Sequence, residues 1–395
     1  MVYRIEEKIN GGMYDSVIFS EYFGGMKIVA ADIETTGFSY KKSSVILTGF
    51  VYQDMPRRNA KSTGRTGDAG SEESAGRAGD CEDAGSAASA RHAEAVESVP
   101  DAGRAGDGES RRCILQFFAD SPDDERELLE NTIDFLADFD VIITFNGRAF
   151  DIPFLKKRAE FYGIDTLPLD RMYSFDMMRV LKYHSHLPEI LPNMKQKTVE
   201  MYLGDSDLRK DTIDGEASVK LYFSYVDTPA SMSKKRENIR DFILLHNRDD
   251  IVRLSEMMRI LRMLDLHEIM NSEGFAIKLD ENQTAVIRKI KIKSASLSIE
   301  GDIFGGSPDA AHYLTDYYDL TKVRDSSEFT ANVSCERIEK ALVADLCALD
   351  VDEDPLRLTG EYESGYLILS NEDVTNYREI NMLVSALVRK LLKVI

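Results

Sequence analysis

The sequence has few cysteines, and none of them lies in a spacing typical of a metal site. The four are scattered and form no C-x-x-C pair, at Cys81, Cys113, Cys335 and Cys347. This distribution argues against a disulfide framework and a cysteine zinc site, so we expect a cytoplasmic location. No apolar run approaches the length that spans a bilayer, and the first residues lack the basic start and apolar centre of a signal peptide. We therefore expect no association with a membrane.

Basic residues are fewer than acidic residues in this chain. The 395 residues include 49 Lys and Arg against 69 Asp and Glu, which gives a formal net charge of −20. Because contacts with phosphate groups need lysine or arginine, this balance argues against a protein that binds nucleic acid by charge alone. It leaves open an enzyme that meets phosphates through metal ions, since carboxylates are themselves metal ligands. The length and a hydrophobic content of 43% predict a globular chain of two domains.

Residues 57–111 lack large apolar side chains almost completely. Val96 and Val99 are its only sizeable aliphatic residues, and the fragment "GRTGD" at 64 recurs as "GRAGD" at 76 and 103. Such a segment cannot bury enough apolar surface to offset its ordering entropy, so we predict a disordered insertion. Its flanks, "SSVILTGFVYQ" and "RRCILQFFAD", both have strand patterns. The insertion is therefore predicted to lengthen a hairpin loop within one sheet.

Outside this insertion, the first two-thirds of the chain alternates between strand and helix patterns. "MKIVAADIE" and "DVIITFN" are short apolar runs typical of buried strands, and "SPDDERELLENTIDFLADF" has a Ser cap and helical spacing. Further helices are predicted at 150–163, 193–203, 215–226 and 233–265. This order predicts an α/β domain with a mixed sheet flanked by helices at 26–267, after an N-terminal extension at 1–25.

From residue 268 the pattern changes to a smaller α+β region, 268–395. "TAVIRKIKIKSASLSIEG" alternates like a strand, "YESGYLILS" is a second strand candidate, and an amphipathic helix is predicted at 373–394. The first strand would place Lys289, Lys291 and Lys293 on one face. These lysines could contact a phosphate backbone, or they could form a solvated strand face.

Two acidic residues end the first buried strand. In "VAADIETTGF", Asp32 and Glu34 lie two positions apart, and the strand period directs both to one face. Two buried acids on one face repel each other unless a cation lies between them, and a divalent metal is the natural partner. The D-x-E pattern alone is uninformative in so acidic a chain, because it recurs at 107–109, 123–125 and 214–216. The apolar strand and the following "TTG" distinguish the first copy.

A third acid follows the second buried strand. In "VIITFNGRAFDIPFLKKR", Asp151 comes after an Asn-Gly turn and begins a helix. The carboxyl end of a strand is where α/β sheets usually place functional residues. The alternative is that Asp151 only caps its helix.

The helix "FILLHNRDDIVRL" contains two adjacent aspartates that helical geometry separates. Asp250 shares a mostly apolar stripe with Ile243, His246, Leu254, Met257 and Leu261. Asp249 shares a face with Arg253 and Glu256, and we predict an exposed i,i+4 ion pair between Asp249 and Arg253. We therefore expect Asp249 at the surface and Asp250 on the buried face, where a carboxylate needs a partner.

Taken together, these motifs resemble the DEDD superfamily of RNase H-like 3′–5′ exonucleases, and most closely its YprB-like bacterial branch. "DIETTG", "FNGRAFDIP" and "HNRDDIVRL" match in order, and "RKDTIDGEASVKLYFSYV" resembles the stretch before the third motif. The resemblance covers about residues 26–265 without the insertion. It implies an RNase H-like mixed sheet and nucleic acid, DNA or RNA with a 3′ end, as the partner.

The resemblance also implies roles for individual residues. Asp32, Glu34, Asp151 and Asp250 would be the ligands of two Mg²⁺ or Mn²⁺ ions, with Asp32 bridging them. Superfamily members have a general base, either Tyr four residues before the last Asp or His five before it. His246 lies four before Asp250, so it matches one class by residue type and the other by spacing. It could reach the attacking water, or it could only pack beside the carboxylates.

Three further residues could meet the substrate. Asn146 and Phe150 could line the nucleotide path and Thr35 could touch the terminal nucleotide, whereas a turn asparagine and a core phenylalanine are the structural alternatives. The favoured function is a metal-dependent 3′–5′ exonuclease that acts on single-stranded or frayed ends. A nucleic-acid-binding or scaffold module with weak or no catalysis, and a structure-selective endonuclease, remain as alternatives.

Overall fold

The first sheet is mixed and has six strands in the order β1-β4-β3-β2-β5-β6. The computed structural model describes residues 1–54, 110–204, 209–210, 213, 215–306, 309–352 and 354–392. The strands of the first sheet are β1 (Val2–Asn10), β2 (Ile28–Thr35), β3 (Val45–Gln53), β4 (Arg111–Ala119), β5 (Val141–Thr144) and β6 (Tyr173–Asp176). β2, β5 and β6 pair in parallel, whereas β1, β4, β3 and β2 pair antiparallel. The predicted mixed α/β sheet is confirmed.

Helices cover both faces of this sheet. They are α1 (Val17–Phe23), α2 (Glu125–Leu136), α3 (Asp151–Phe161), α4 (Leu167–Arg171), α5 (Met177–His184), α6 (Leu187–Ile190), α7 (Gln196–Tyr202), α8 (Gly215–Asp227), α9 (Ser233–Met257) and α10 (Leu266–Glu273). The predicted helices are present, and 3₁₀ turns at 122–124 and 258–263 extend two of them. The sequence did not predict β6 or the shorter helices α1, α4, α5, α6 and α10.

The alternation of β2 decides which of its residues face the acidic site. Val29, Ala31 and Ile33 pack into the cluster formed with α2 and α3. Ala30 belongs to the cluster on the opposite side, where α9 lies against β2 and β3. Because side chains alternate along a strand, Asp32 and Glu34 share this second side with Ala30.

The insertion lies between two strands that pair with each other. β3 and β4 are antiparallel neighbours, as predicted from the two flanking patterns. The predicted disordered segment falls at 57–109 outside the described residues, but its end was placed too late, since Arg111 already belongs to β4. The segment predicted as an N-terminal extension supplies the edge strand β1, which pairs with β4 from Val2 to Asn10.

The C-terminal region contains more β-structure than the sequence predicted. A six-stranded antiparallel sheet has the order β10-β11-β12-β9-β8-β7, and a second sheet has the order β13-β14-β16-β15 with β17 beside β16. The strands are β7 (Phe275–Lys278), β8 (Thr284–Lys293), β9 (Ser296–Phe304), β10 (Ala311–Leu314), β11 (Tyr318–Lys322), β12 (Glu328–Ser334), β13 (Glu336–Ile338), β14 (Ala341–Asp345), β15 (Tyr362–Glu363), β16 (Tyr366–Asn371) and β17 (Val374–Thr375). The helices are α11 (Leu346–Leu349), α12 (Asp354–Arg357) and α13 (Tyr377–Leu392).

Two predicted single strands are hairpins. "TAVIRKIKIKSASLSIEG" folds as β8 and β9, which turn back on each other at Ser294 and Ala295. "YESGYLILS" folds as β15 and β16 around Ser364 and Gly365, both with positive φ. The sequence pattern missed these turns because alternation continues through a tight hairpin when the connection has only two residues.

The lysine face of β8 is solvated. Lys289, Lys291 and Lys293 are exposed, and Lys289 Nζ lies 3.8 Å from Glu300 Oε2 on the neighbouring strand. Exposure is compatible with both interpretations drawn from the sequence, so both stay predictions.

One hydrophobic cluster continues from the α9 side of the first sheet through α10 to the C-terminal sheets and α13. The predicted boundary between a domain at 26–267 and a region at 268–395 therefore stays a prediction. In the part of the chain that the structure describes, none of the helices combines the length and apolar character needed to cross a bilayer.

Candidate metal centre

Three of the four predicted acidic ligands meet at the end of β2. Asp151 is the first residue of α3, which begins beyond the carboxyl end of β5, the parallel neighbour of β2. The backbone N–H of Ile33 donates to Asp151 Oδ1 at 3.2 Å. This bond ties Asp151 to the residue between Asp32 and Glu34, and the side chain does more than cap its own helix.

α9 supplies the fourth acid, Asp250, and the predicted base, His246. His246 Nε2 lies 3.5 Å from Glu34 Oε1 and 3.5 Å from Asp250 Oδ2. Glu34, His246 and Asp250 each offer one ligand atom, and these atoms all lie within 4.8 Å of one another. Two of these residues are buried and Asp250 is partly buried. One turn of helix thus carries both His246 and Asp250 to the acidic side of β2.

The prediction that Asp249 lies at the surface is wrong. Asp249 is 1% exposed, and its Oδ2 accepts a hydrogen bond of 2.6 Å from the backbone N–H of Lys210. Arg253, the predicted ion-pair partner, contacts Glu256 at 2.5 Å. The reason is tertiary: the chain around residues 209–210 lies against the face of α9 that helical phase alone would leave in water.

Burial of these acids changes their proton affinity. Burial raises the pKa of Asp32 well above its usual value, and the negative charges of Asp151, Asp250 and Glu34 raise it further. The pKa of Glu34 is raised to about 7 by burial, an effect that His246 opposes and Asp250 reinforces.

Asp151 has a similar environment. Burial raises its pKa to about 7, although backbone hydrogen bonds, including that from Ile33, act in the opposite direction. A group of like charges held together out of water is unfavourable without a cation. Because hard divalent cations prefer carboxylate oxygens, these acids could hold a divalent metal ion, with the His246 imidazole beside it.

The three predicted substrate residues have different positions. The Thr35 hydroxyl donates to the Gly37 carbonyl at 2.9 Å, within its own loop. Asn146 has φ of 69°, a left-handed conformation typical of a turn, and its N–H donates to Asp176 Oδ1 at 2.9 Å. Phe150 is partly buried against Phe154, with a centroid distance of 5.4 Å.

An exposed aromatic residue beside Phe150 was not predicted. Phe38 is 94% exposed, and its ring meets Phe150 edge to face with centroids 6.1 Å apart. Phe38 ends the stretch "DIETTGF", and Phe150 directly precedes Asp151. The only sequence signal for Phe38 is its position directly after the acidic motif "DIETTG".

Two further groups near the acids were also missed. Asn247 Nδ2 donates to Asp32 Oδ2 at 3.0 Å, and Arg209 Nη2 donates to Asp250 Oδ1 at 2.5 Å. Arg209 lies between Asp250 and Glu200 and contacts each carboxylate at 2.5 Å. Both residues lie inside stretches that carried the family resemblance, although no periodicity argument marked them.

Asp176 organises the loop before Asp151. It ends β6, is 2% exposed, and accepts from the N–H groups of Asn146 and Arg148 at 2.9 and 3.0 Å. It also caps α5 by accepting from Met178 N–H at 3.1 Å. The same carboxylate thus fixes both the loop and the helix beside the acidic site.

This chain is similar to known proteins in parts of its sequence and in its structure. Residues 102–262 match a family model described as RNase_H superfamily. The match includes Asp151, His246 and Asp250, whereas Asp32 and Glu34 precede it. A stretch of 41 residues is 54% identical to a DNA polymerase of Methanocaldococcus jannaschii, over 10% of this chain and 2% of that protein. The chain thus spans a very small part of that relative.

Among solved structures, the family B DNA polymerase from Pyrobaculum calidifontis is similar at a TM-score of 0.36 and 16% identity. The similarity covers 66% of this chain and 29% of the polymerase chain. Residues 102–262 thus match the RNase_H superfamily model, and the mixed sheet with its flanking helices is consistent with an RNase H-like fold.

Proposed function

We propose that this protein is a metal-dependent 3′–5′ exonuclease of the DEDD type. The observation that supports this most strongly is the convergence of Asp32, Glu34, Asp151 and Asp250 from three separate parts of the chain. His246 lies 3.5 Å from two of these carboxylates. The RNase H-like domain suggests a nuclease, and the superfamily and the polymerase relative suggest nucleic acid as the substrate class.

The four carboxylates would hold two Mg²⁺ or Mn²⁺ ions. These ligands would be Asp32, Glu34, Asp151 and Asp250. When bound, such ions lower the pKa of an attacking water and offset the charge that develops on the leaving 3′ oxygen. They would also bring positive charge to the phosphate in a protein whose formal net charge is −20.

His246 would act as the general base. Its Nε2 would take the proton of the water whose oxygen attacks phosphorus. The bond from phosphorus to the 3′ oxygen would break, a nucleoside 5′-monophosphate would leave, and the 3′ oxygen of the shortened strand would take a proton from solvent. Glu34 and Asp250, each 3.5 Å from Nε2, would favour the protonated imidazole that results.

Phe38 and Phe150 would contact the terminal base. Stacking of a base on an aromatic ring is worth about 1–3 kcal/mol and tolerates any sequence. An exposed ring beside a partly buried one, directly before Asp151, provides such a surface. Thr35 and Asn146 would then shape the loops that carry these rings.

The test is digestion of 5′-labelled single-stranded DNA and RNA with Mg²⁺ or Mn²⁺. We expect a ladder of 3′-shortened products that is lost in Asp32→Asn. Asp265→Asn is a matched control, because Asp265 only caps α10 and asparagine can accept the same hydrogen bonds from His267 and Glu268 N–H. Phe38→Ala should raise KM more than it lowers kcat.

Other results would contradict the proposal. Internal cuts without 3′ shortening would identify an endonuclease on the same fold. No cleavage with either ion, together with binding of labelled oligonucleotide measured by fluorescence anisotropy, would identify a binding module. Equal loss of cleavage in Asp265→Asn would show that the acidic site is not the relevant feature.

A further inference from the structure

A row of three residues crosses the first sheet beneath α9. In the register of β2 and β3, Asp32 lies opposite Gly49, and in the register of β3 and β4, Gly49 lies opposite Gln116. The outer two residues are therefore two strand spacings apart, roughly 10 Å. Gln116 is buried, and between it and Asp32 the row has no side chain.

Asn247 of α9 fills the space above the glycine. A Cβ atom at Gly49 would lie 1.9 Å from Asn247 Oδ1, far closer than any allowed contact. Glycine inside a buried strand lowers stability and often marks a close approach by another group. Here that group is the Asn247 side chain, which is 0% exposed.

The hydrogen bonds of this row fix the orientation of the Asn247 amide. Gln116 Nε2 donates to Asn247 Oδ1 at 2.9 Å and to the Leu244 carbonyl at 2.9 Å. Because the oxygen of Asn247 receives the Gln116 donor, its Nδ2 is directed at Asp32. It donates to Asp32 Oδ2 at 3.0 Å and to the Asp32 carbonyl at 3.4 Å.

We propose that Asn247 is a positioning residue of the candidate metal centre, held by Gln116 across Gly49 and fixing the Asp32 carboxylate for the ions. This inference rests on the proposed function, in which Asp32 would be a metal ligand. A ligating carboxylate must present its oxygens in one rotamer, and a hydrogen bond to Oδ2 removes rotational freedom that binding would otherwise cost.

The neutral character of the amide suits this position. Asp250 is held by a cation, since Arg209 contacts its Oδ1 while Oδ2 lies beside His246. Arg209 thus offsets part of the negative charge of Asp250, whereas the Asn247 amide donates a hydrogen bond and leaves the full negative charge of Asp32 to the ions. Asn247 therefore orients Asp32 without replacing its metal partner.

The experiment measures Mn²⁺ binding to the full-length protein, from the EPR signal of the free ion, together with the free energy of unfolding in EDTA. Asn247→Leu keeps the size of the side chain and removes its donor. We expect Mn²⁺ affinity to fall about 10- to 100-fold, the usual effect of losing a group that orients a metal ligand. The matched control is Asn381→Leu, because Asn381 is a buried helical asparagine that contacts Tyr22 and the His267 carbonyl.

Gln116→Leu is the second variant, and it carries the test if Asn247→Leu does not fold. Without the donor to Asn247 Oδ1, the amide loses its fixed orientation, so Mn²⁺ binding should weaken by a smaller factor than in Asn247→Leu. A positioning role also predicts that excess Mn²⁺ restores cleavage in Asn247→Leu but not in Asp32→Asn.

The outcomes separate this inference from the proposed function. Folded Asn247→Leu or Gln116→Leu that binds Mn²⁺ as tightly as the wild-type protein overturns the positioning role. Equal weakening in Asn381→Leu also overturns it, because the effect would then be general. Wild-type protein that binds Mn²⁺ without any cleavage, with weaker binding in both variants, refutes the exonuclease and supports the positioning role. Wild-type protein that binds no Mn²⁺ refutes both.

Discussion

Replacing Glu34 by glutamine is expected to stabilise the metal-free protein at pH 8, although the same change should abolish metal binding. The pKa of Glu34 is raised from 4.5 to about 7 in the folded protein, mainly by burial. Ionisation of this carboxyl therefore costs the folded state free energy at pH 8. At 1.36 kcal/mol for each pKa unit, the cost is about 3 kcal/mol. Glutamine keeps the shape and carries no charge.

The sign of the pH dependence follows from the raised pKa. The contribution of the protonated Glu34 carboxyl is present in full below about pH 4.5 and is lost as the pH rises through about 7. The difference between Glu34→Gln and wild-type protein in EDTA should thus shrink from about 3 kcal/mol at pH 8 to about 1 kcal/mol at pH 5.5. Urea unfolding followed by circular dichroism measures both values.

A second buried glutamate provides a control with the opposite sign. Glu125 is 0% exposed, and its Oε1 accepts from Arg158 Nε at 2.8 Å. Glu125→Gln removes one partner of a buried ion pair and should destabilise the protein by about 3–5 kcal/mol at pH 8. Addition of Mn²⁺ should stabilise the wild-type protein more than Glu34→Gln. A Glu34→Gln protein no more stable than wild type at pH 8 in EDTA would refute the reasoning.

Two further predictions concern other carboxylates. Asp250→Asn should lose Mn²⁺ binding and cleavage. Asp249→Asn should keep both and lower the free energy of unfolding by only about 1 kcal/mol, because the amide oxygen can still accept the backbone N–H of Lys210. Nuclease assays and urea unfolding distinguish the two variants, and loss of cleavage in Asp249→Asn alone would reverse the assignment. Glu273→Gln should lower the free energy of unfolding by about 1–2 kcal/mol, since the partly buried Glu273 pairs with Arg148 and Arg179 at 2.7 and 3.0 Å. An unchanged urea midpoint would contradict this.

The local features of the acidic site could be predicted because they depend on the period of one element. The strand period of two places Asp32 and Glu34 on the same side of β2, and the helix period places His246 and Asp250 on one face of α9. The paired strands around the insertion were equally clear, since apolar runs with β-branched residues need no distant partner to be recognised.

The exposure of Asp249 could not be predicted in this way. Helical phase separates Asp249 from Asp250, but it does not say which faces of a helix other segments cover. The backbone of Lys210 reaches Asp249 from 39 positions away, and α9 is therefore buried on a face that an isolated amphipathic helix would expose to water.

By itself, the sequence determined the type of most elements, the mixed α/β class and the acids that share a face, because these follow from periodicity and turn chemistry within short windows. Tertiary structure alone decided how the acids are held. The row of Gln116, Gly49 and Asp32 exists only through the register of three strands, and Asn247 reaches it only because α9 crosses that row. Register and helix position result from packing between residues far apart in the chain, which local patterns do not encode.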